Sequence, residues 1–393
     1  MTVRWPFVDL FSGAGGMSYG FAQHPDFAPL FAVDAQHGKP SARPGSLDCN
    51  ATYRANLGLT VHGADLSVYS PAQLLADTGL RPGELPVLIS CAPCTGFSRA
   101  LRHSHLRDDA RNSLVGRTGL FVEALRPAIL VMENARELVQ GNFSHHCESL
   151  RSHLESLGYQ FHAAVHTLSD FGLPQVRERA LVLAVRRDLT LRTLPELWSG
   201  HKPRPSSLTV RHAIAELPVL QAGETAATDS EHVSPALGPT TLQRLQAIPQ
   251  DGGSWSDLLT VPGAEQWLIP SMRQRVAAGD FGGHPDVYGR LWWDRPSVTI
   301  KRECAHVGNG RYAHPAQDRL CTLRELAILN GFPRNYVFCS GSLANRYRHV
   351  GDAVPPLVSH QLAHVCQWML SGLRPDLDAC FLPATSFTAG DLR

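Results

Sequence analysis

In the first half of the chain, short apolar runs rich in β-branched and aromatic residues alternate with stretches whose apolar residues recur at helical spacing. The apolar runs predict strands at residues 6–11, 28–34, 86–91, 127–133 and 180–185. The helical spacing is clearest at residues 71–78 and 112–125. Strands that alternate with helices predict βα units and a mostly parallel sheet, in which chemistry lies beyond the carboxyl ends of the strands.

The pattern changes between about residues 189 and 315. Prolines and glycine pairs break any long periodic pattern there, which predicts a separate, loop-rich second domain. Tryptophans indicate that this part is folded; they are Trp255, Trp267, Trp292 and Trp293. Helical spacing returns at residues 322–330 and 356–369, and the tail after Gly372 is predicted to be poorly ordered.

Composition limits the function only by exclusion. Of the 393 residues, 43% are hydrophobic and 18% are charged, as in ordinary globular proteins. The chain lacks an apolar run of the roughly 18 residues that span a bilayer and lacks a signal-peptide core, so we expect a cytoplasmic protein without a membrane partner. The nine cysteines lack the paired spacing of a disulfide framework or zinc site, which predicts free thiols and no metal. Because the net charge is +1, any nucleic-acid surface must be a local basic patch.

The segment FVDLFSGAGG, residues 7–16, is an apolar strand that ends in a glycine-rich turn before a helix. Glycines at such a turn let the backbone pass close to a ligand. Ser18 stands where the nicotinamide-binding pattern has its third glycine, which weakens that interpretation. Asp34, at the end of the next strand, is placed to hold a ribose hydroxyl pair. The alternative is a tight connection without a ligand.

The segment SCAPCTGFS, residues 90–98, puts Cys94 just past a predicted strand, inside a turn that contains proline and glycine. A thiolate at such a position is a candidate nucleophile. Cys91 and Cys94 also form a C-x-x-C pair, which allows a redox pair or half of a metal site. A buried thiol in a turn is the remaining alternative.

Charged residues follow two further strands. Glu133 lies at the carboxyl end of one strand, where a carboxylate is costly without a partner or a task; capping the next helix is the alternative. Arg177 and Arg179 are two residues apart, so on a strand they share a face and can orient a carboxylate or a base edge; a solvated edge is the alternative. Between residues 99 and 117, five arginines and two histidines outnumber two aspartates. This local basic patch directly follows the Cys94 turn, although such runs are often only solvated surface.

Taken together, the order and spacing of these motifs resemble the DNA (cytosine-5) methyltransferase family of the bacterial modification type, across nearly the whole chain. FSGAGG resembles its cofactor loop, PC followed by GFS its nucleophile turn, EN at 133–134 its acidic motif and QVRER at 175–179 its arginine motif. Further matching stretches are RNSL at 111–114, RPSVTI, HPAQDRLCTLRELAILNGFP at 314–333 and GDAVPP at 351–356.

The resemblance implies an α/β fold: a Rossmann-like, S-adenosylmethionine-dependent methyltransferase domain with a mostly parallel sheet, plus a smaller, loop-rich target-recognition domain. We expect residues 1–189 to form the catalytic and cofactor-binding domain, 190–345 the target-recognition domain, and 346–393 a segment that completes the catalytic domain. The implied activity is methyl transfer to carbon 5 of a flipped-out cytosine within a specific sequence of double-stranded DNA.

The same resemblance implies roles for individual residues. The residues implied for the target base are Cys94 as covalent nucleophile, Glu133, Arg177 and Arg179. Cys94 would add to carbon 6, Glu133 and Arg179 would stabilise the charge that develops on the ring, and Arg177 would fix Glu133 and the turn. Those implied for the cofactor are Phe11, Ser12, Gly13, Ala14, Gly15, Gly16, Asp34, Asp65, Leu66, Asp352 and Val354. Those implied for DNA are Ser98, Arg99, Arg102 and Arg107.

The chain departs from the family pattern at several positions. Ala92 replaces a proline before the PC pair, Thr95 replaces the usual glutamine after it, and Asp352 stands where the family has asparagine. Glycines between residues 38 and 45 interrupt the usual run after Asp34.

Other functions remain open at this stage. An RNA (tRNA) cytosine-5 methyltransferase shares the catalytic logic, and an inactive DNA-binding relative shares the motifs. A C-x-x-C redox protein predicts that Cys91 matters as much as Cys94. We expect the protein to be a monomer. The sequence leaves open whether a cognate restriction endonuclease is its partner.

Overall fold

The computed structural model of the protein describes residues 4–38, 45–93, 114–142, 144–279 and 286–393. Cys94 and the basic residues from Arg99 to Arg111 lie outside the described residues. Arg117, the last arginine of the basic patch, is described, and its guanidinium donates to the carbonyl oxygens of Leu66 and Tyr69 at 3.1 and 2.9 Å.

A mixed six-stranded sheet forms the centre of the first half of the chain, with the strand order β2-β1-β3-β4-β6-β5. Its strands are β1 (Trp5–Leu10), β2 (Phe27–Val33), β3 (Val87–Ser90), β4 (Ile129–Ala135), β5 (Tyr159–Thr167) and β6 (Glu178–Arg186). Strands β1 to β4 pair in parallel, whereas β6 pairs antiparallel with both β4 and β5. The mostly parallel sheet and the five predicted strands are confirmed.

Strand β5 was not predicted. Its sequence largely alternates, with Tyr159, Phe161 and Val165 on one face and two histidines on the other, which is the signature of a half-buried strand. All of its residues after Tyr159 are only partly buried, because β5 lies at the edge of the sheet. The alternation was the signal that could have identified it.

Helices cover the sheet and extend into the rest of the chain. In the first half of the chain they are α1 (Gly16–Ala22), α2 (Cys49–Leu57), α3 (Pro71–Thr78), α4 (Leu114–Leu125), α5 (Glu137–Gln140) and α6 (His145–Ser156). Helix α3 has the predicted bounds, because a Ser70 capping box begins it and the left-handed Gly79 ends it.

The region after β6 contains short helices and a small hairpin. Its elements are α7 (Leu194–Leu197), α8 (Val210–Ile214), β7 (Thr225–Ala226), β8 (Asp229–Val233), α9 (Pro239–Ala247) and α10 (Pro270–Ala277). Trp255 is 2% exposed, so the region has a packed interior despite its long connections. The side chain of Arg290 is buried there and donates to the carbonyl oxygens of Leu245, Ile248 and His314.

The last helices are α11 (Leu323–Leu329), α12 (Leu343–Asp352) and α13 (Pro356–Ser371). Both helices predicted in this part of the sequence are present, as α11 and α13. Helix α13 lies against α1: a Cβ atom at Gly20 would come within 1.9 Å of Ser359 Oγ. The C-terminal helix therefore packs directly on the helix that follows the glycine-rich turn.

The prediction of a poorly ordered tail is wrong. Beyond Gly372 the chain buries Leu377, Phe381 and Phe387, and both phenylalanine rings pack on Trp198 with centroids 5.9 and 6.3 Å from it. The aromatic residues of the tail have a buried partner in a distant segment, and local sequence does not reveal such a partner. No helix within the described ranges is both long and apolar enough to span a bilayer.

Candidate active site

A cavity of about 230 Å³ lies at the carboxyl ends of the parallel strands. It is lined by the glycine-rich turn after β1, the ends of β2, β3 and β4, and the connection between α12 and α13. Apart from Gly15, every residue implied for the cofactor lines it: Phe11, Ser12, Gly13, Ala14, Gly16, Asp34, Asp65, Leu66, Asp352 and Val354. Tertiary structure therefore brings together residues that are more than 300 positions apart in the sequence.

The glycine-rich turn is held by Asp34. The Asp34 carboxylate accepts from the backbone N–H of Gly13 at 2.8 Å and from that of Gln36 at 2.6 Å. Burial raises the pKa of Asp34, although these two N–H donors oppose the increase. Phe11 has φ 62°, a left-handed conformation that a bulky residue rarely adopts. Such strain is characteristic of functional turns, and it directs the chain around the cavity.

Asp9 is a cavity residue that the sequence analysis missed. It is 1% exposed on β1; Ser18 Oγ donates to its Oδ2, and Tyr53 OH donates to Ser18 Oγ at 2.9 Å. Its Oδ1 is buried and has no partner among the described residues, and the hydroxyl of Ser12 is in the same situation. Burial raises the pKa of Asp9 to about 7. An acidic residue inside the apolar run FVDLF was the available signal.

These two orphaned polar atoms are the best test of whether a polar cofactor fits the cavity. Asp9 and Ser12 both line it, and a buried acceptor or hydroxyl without a partner costs about 1–3 kcal/mol. A ligand that carries hydrogen-bond donors would remove this cost. The residues present therefore fit a polar, donor-bearing cofactor.

Glu133 and Arg179 form an ion pair beside the cavity. Arg179 Nε lies 2.8 Å from Glu133 Oε1, and their side chains are 18% and 10% exposed. Because β4 and β6 are antiparallel, with Ala135 opposite Arg179, these two strands bring the pair together. Glu133 lines the cavity, and α5 begins after Arg136, so Glu133 does not cap the next helix. The predicted proximity of Glu133 and Arg179 is found in the structure.

Arg177 donates to backbone carbonyl oxygens of two distant segments. It is 2% exposed, and its guanidinium donates to the carbonyl oxygens of Ile300 at 2.9 Å and Ala353 at 3.2 Å. Arg177 lies one residue before β6, and, like Arg179 and unlike the exposed Glu178 between them, it is at least partly buried. It ties the start of β6 to the second region and to the segment before α13.

The segment that leads to Cys94 lines one side of the cavity up to Pro93. Cys94, Ser98, Arg99, Arg102 and Arg107 lie outside the described residues. Pro93, the residue directly before Cys94, lines the cavity together with Cys91 and Ala92. Pro93 is the last described residue before the candidate nucleophile.

Contacts of the neighbouring strand hold Ala92, and the surroundings of Cys91 determine the state of its thiol. Asn134, next to Glu133, donates from its side-chain amide to the carbonyl oxygen of Ala92 at 3.0 Å. Burial raises the pKa of Cys91 well above its usual value, and the nearby carboxylate of Glu133 adds to the effect. Cys91 is therefore a protonated thiol at neutral pH, and it does not supply the low-pKa thiolate of a C-x-x-C redox pair.

A second set of missed residues closes the cavity near Asp352. Arg302 lies 2.6 Å from Asp352 and also donates to the carbonyl oxygen of Gly38 at 2.6 Å. His37 lies 3.4 Å from Asp65. The sequence offered no signal for Arg302, because it follows an ordinary strand-like stretch in the second region.

Comparisons with known proteins agree across nearly the whole chain. The family model described as C-5 cytosine-specific DNA methylase matches residues 5–368. The Type II methylase M.HgiDII of Herpetosiphon aurantiacus is 30% identical, over 93% of this chain and 96% of its own. The Type II methyltransferase M1.HphI of Haemophilus parahaemolyticus is 32% identical, over 91% of this chain and 85% of its own.

Solved structures show the same fold. A putative DNA modification methyltransferase encoded within an E. coli prophage aligns with a TM-score of 0.63 and 22% identity, covering 94% of this chain and 100% of its own. The Entamoeba histolytica methyltransferase EhMeth aligns with a TM-score of 0.58 and 14% identity, covering 92% and 98%. The Rossmann-like methyltransferase architecture is thereby confirmed.

Proposed function

Since the chain belongs to the C-5 cytosine-specific DNA methylase family and is a DNA (cytosine-5)-methyltransferase, we propose that Cys94 is its covalent nucleophile and that the cavity holds S-adenosylmethionine. One observation carries the proposal: the Glu133–Arg179 ion pair and Pro93, the neighbour of Cys94, lie at the same cavity as the glycine-rich turn. Nucleophile, charge-stabilising groups and cofactor turn would then meet at one place.

S-adenosylmethionine, when bound, supplies a methyl group activated by its sulfonium. Asp34 and Asp65 are assigned to its ribose and adenine, and Phe11 to the adenine ring. Asp9 Oδ1 and Ser12 Oγ, which are buried without partners among the described residues, would accept from or donate to its polar groups. Hydrogen bonds to those atoms would favour a ligand of this polarity over a purely apolar one.

Cys94 is assigned the addition to the pyrimidine. Its thiolate sulfur forms a bond to carbon 6, and the electron pair of the ring double bond moves to carbon 5, which then accepts the methyl group. Loss of the proton from carbon 5 to a base, for which we assign water, then breaks the bond between sulfur and carbon 6. The products are 5-methylcytosine, S-adenosylhomocysteine and the restored thiolate.

Glu133 and Arg179 are assigned to the charge that develops on the ring. A protonated Glu133 that donates a hydrogen bond to the ring nitrogen and a cationic Arg179 at the carbonyl oxygen stabilise the transition state more than the ground state. Their 2.8 Å ion pair orients both side chains before the base arrives. Arg177 is a positioning residue in this scheme, since it binds backbone carbonyl oxygens of Ile300 and Ala353.

The base must leave the duplex before Cys94 can reach it, at a cost of a few kcal/mol. We assign phosphate contacts to Arg99, Arg102 and Arg107 and a contact near the base to Ser98. Residues 190–345 are assigned to recognition of the DNA sequence, through side chains in the major groove. Near the end of this range, Tyr336 and Cys339 also contact Ala14 and Thr52 of the first part of the chain. Residues 346–393 are assigned to the catalytic domain.

The names of the relatives bear on the biological setting. M.HgiDII and M1.HphI are Type II enzymes. We therefore assign this chain to a restriction–modification system with a cognate restriction endonuclease, acting as a monomer on double-stranded DNA in the cytoplasm.

Bisulfite sequencing of DNA from cells that express this chain tests the activity and reveals its sequence context. Trapping on duplex DNA that contains 5-fluorocytosine tests the mechanism, because carbon 5 then has no proton to lose and the adduct persists. We expect a stable complex linked through Cys94. Methylation without a trapped complex would refute the covalent route but not the activity.

A further inference from the structure

The charges that line the cavity are strongly unbalanced. Its carboxylates are Asp9, Asp34, Asp65, Glu133 and Asp352. Among the cavity-lining residues that the structure describes, Arg302 is the only arginine or lysine. A ligand with a carboxylate would therefore be repelled over most of the cavity and attracted at one position, beside Arg302.

Arg302 and Asp352 keep hydrogen-bonding capacity after pairing with each other. Arg302 Nη1 donates to Asp352 Oδ2 at 2.6 Å, and Nη2 donates to Gly38 O at 2.6 Å. Within the described ranges no residue accepts from Arg302 Nε or donates to Asp352 Oδ1. The two side chains are 25% and 33% exposed, and both line the cavity. One wall of the cavity therefore presents a hydrogen-bond donor, Arg302 Nε, next to a hydrogen-bond acceptor, Asp352 Oδ1, on side chains of opposite charge.

The position of Asp352 explains why the arginine is needed. Asp352 is the last residue of α12, where the helix macrodipole is negative and disfavours a carboxylate. The related family has an uncharged asparagine at this point, so the acidic residue requires a compensating cation. Arg302 supplies it from a segment 50 residues earlier in the chain.

We propose that Arg302 and Asp352 bind the zwitterionic amino-acid group of the cofactor, with Arg302 holding its carboxylate and Asp352 its ammonium. This proposal rests on the proposed use of S-adenosylmethionine. An α-amino acid carries a carboxylate and an ammonium on neighbouring atoms. A guanidinium beside a carboxylate offers the opposite charge to each of these two groups. The competing explanation is a purely structural clasp between α12 and the chain at Gly38.

Isothermal titration with two nucleosides separates a ligand site from a clasp. S-adenosylhomocysteine carries the amino-acid group, whereas 5′-methylthioadenosine has the same adenosine and thioether without it. The variants are Arg302→Gln and Asp352→Asn, of which the second restores the residue of the related family. Arg348→Gln is the matched control, because Arg348 pairs with Glu303 at 3.0 Å between the same two segments but does not line the cavity.

We expect Arg302→Gln to weaken binding of S-adenosylhomocysteine about tenfold or more, as for loss of a charged hydrogen bond, while 5′-methylthioadenosine changes by less than about twofold. Asp352→Asn should weaken only the first ligand, and Arg348→Gln neither. Equal losses for both nucleosides, or no loss for either, would establish the clasp and overturn the proposal. If the unaltered protein bound neither nucleoside, the cofactor assignment itself would fail, and this subsite with it.

Discussion

Gly20 of α1 and Ser359 of α13 are in contact so close that a Cβ atom on Gly20 would lie 1.9 Å from the serine oxygen. The first and last parts of the chain meet at this point. Because α1 follows the glycine-rich turn and α13 follows Val354, the contact also fixes two walls of the cavity relative to each other.

Gly20→Ala is expected to destabilise the fold. The added methyl group meets Ser359 Oγ and the backbone of His360, so α1 and α13 must move apart, at a cost of about 1–3 kcal/mol or more. Urea unfolding measures the loss. The matched control is Gly116→Ala on the exposed side of α4, where no atom of the described residues lies within 4 Å of the new Cβ. Helix propensity should make that variant about 1 kcal/mol more stable. Equal effects at the two sites would contradict the packing argument.

The two cysteines near the cavity should differ in their effect on turnover. Cys94→Ala and Cys94→Ser are expected to abolish methyl transfer while DNA and cofactor binding remain measurable, because only the nucleophile is lost. Cys91→Ala should keep near-normal turnover, since burial raises the pKa of the Cys91 thiol and keeps it unreactive. Radiolabelled methyl transfer to DNA measures both. An inactive Cys91→Ala that folds and binds DNA would revive the redox interpretation.

Glu133→Gln and Arg179→Lys test the ion pair beside the cavity. We expect each to reduce the single-turnover rate by about 10²–10³-fold, the range for loss of one electrostatic stabiliser of a transition state. Lysine keeps the charge of Arg179 but not its planar guanidinium, which lies 2.8 Å from Glu133 Oε1. The affinity of both variants for S-adenosylhomocysteine, measured by titration, should be nearly the same as that of the unaltered protein. A rate reduced less than about threefold in both variants would exclude them from the chemical step.

Arg177→Met should act mainly on stability. The substitution leaves the buried carbonyl oxygens of Ile300 and Ala353 without their donor, at about 1–3 kcal/mol each. Thermal unfolding measures the change, and Arg81→Met is the control, because the Arg81 side chain is 85% exposed and its pair with Glu84 contributes little. If Arg177→Met kept its melting temperature but lost turnover, Arg177 would act in the chemistry instead.

Stability is expected to fall below about pH 6.5 because of a buried histidine cluster. The rings of His24, His360 and His364 lie with centroids 4.2 to 6.3 Å apart between the end of α1 and α13. Burial lowers the pKa of His24 to about 4 and that of His364 to about 3, and it also lowers the pKa of His360. Asp26 favours and Arg4 disfavours the charged form of His24.

Because these pKa values are lower in the folded state, the unfolded chain binds more protons below its own histidine pKa of roughly 6.5. The stabilisation is complete above that pH and is lost as the pH falls toward 4. Urea unfolding at pH 7.5 and pH 5 should differ by on the order of 1–2 kcal/mol per buried histidine. His364→Leu should reduce the difference, whereas His201→Leu, an exposed histidine, should leave it unchanged. A difference of the same size in both variants would mean that other groups cause it.

Much of the fold was readable from local sequence. Period-two and period-3.6 patterns identified the parallel strands and helices such as α3 and α13, because each pattern reflects which side of one element is buried. Glycine, proline and charged residues placed just after the strands indicated where the cavity would lie, since parallel strands end at the same edge of a sheet. The resemblance then assigned the family, which the comparisons confirm.

The sequence could not decide which residues contact each other in the folded chain. Asp9 with Ser18, Arg302 with Asp352, Arg177 with Ala353, and Trp198 with the aromatic tail join residues that are 9 to about 190 positions apart. Burial pattern and turn chemistry act over a few residues, so they determine the elements and the motifs of this protein. The choice of partner depends on how the chain closes in three dimensions, so only the packed structure decides which buried charges are paired and which remain for a ligand.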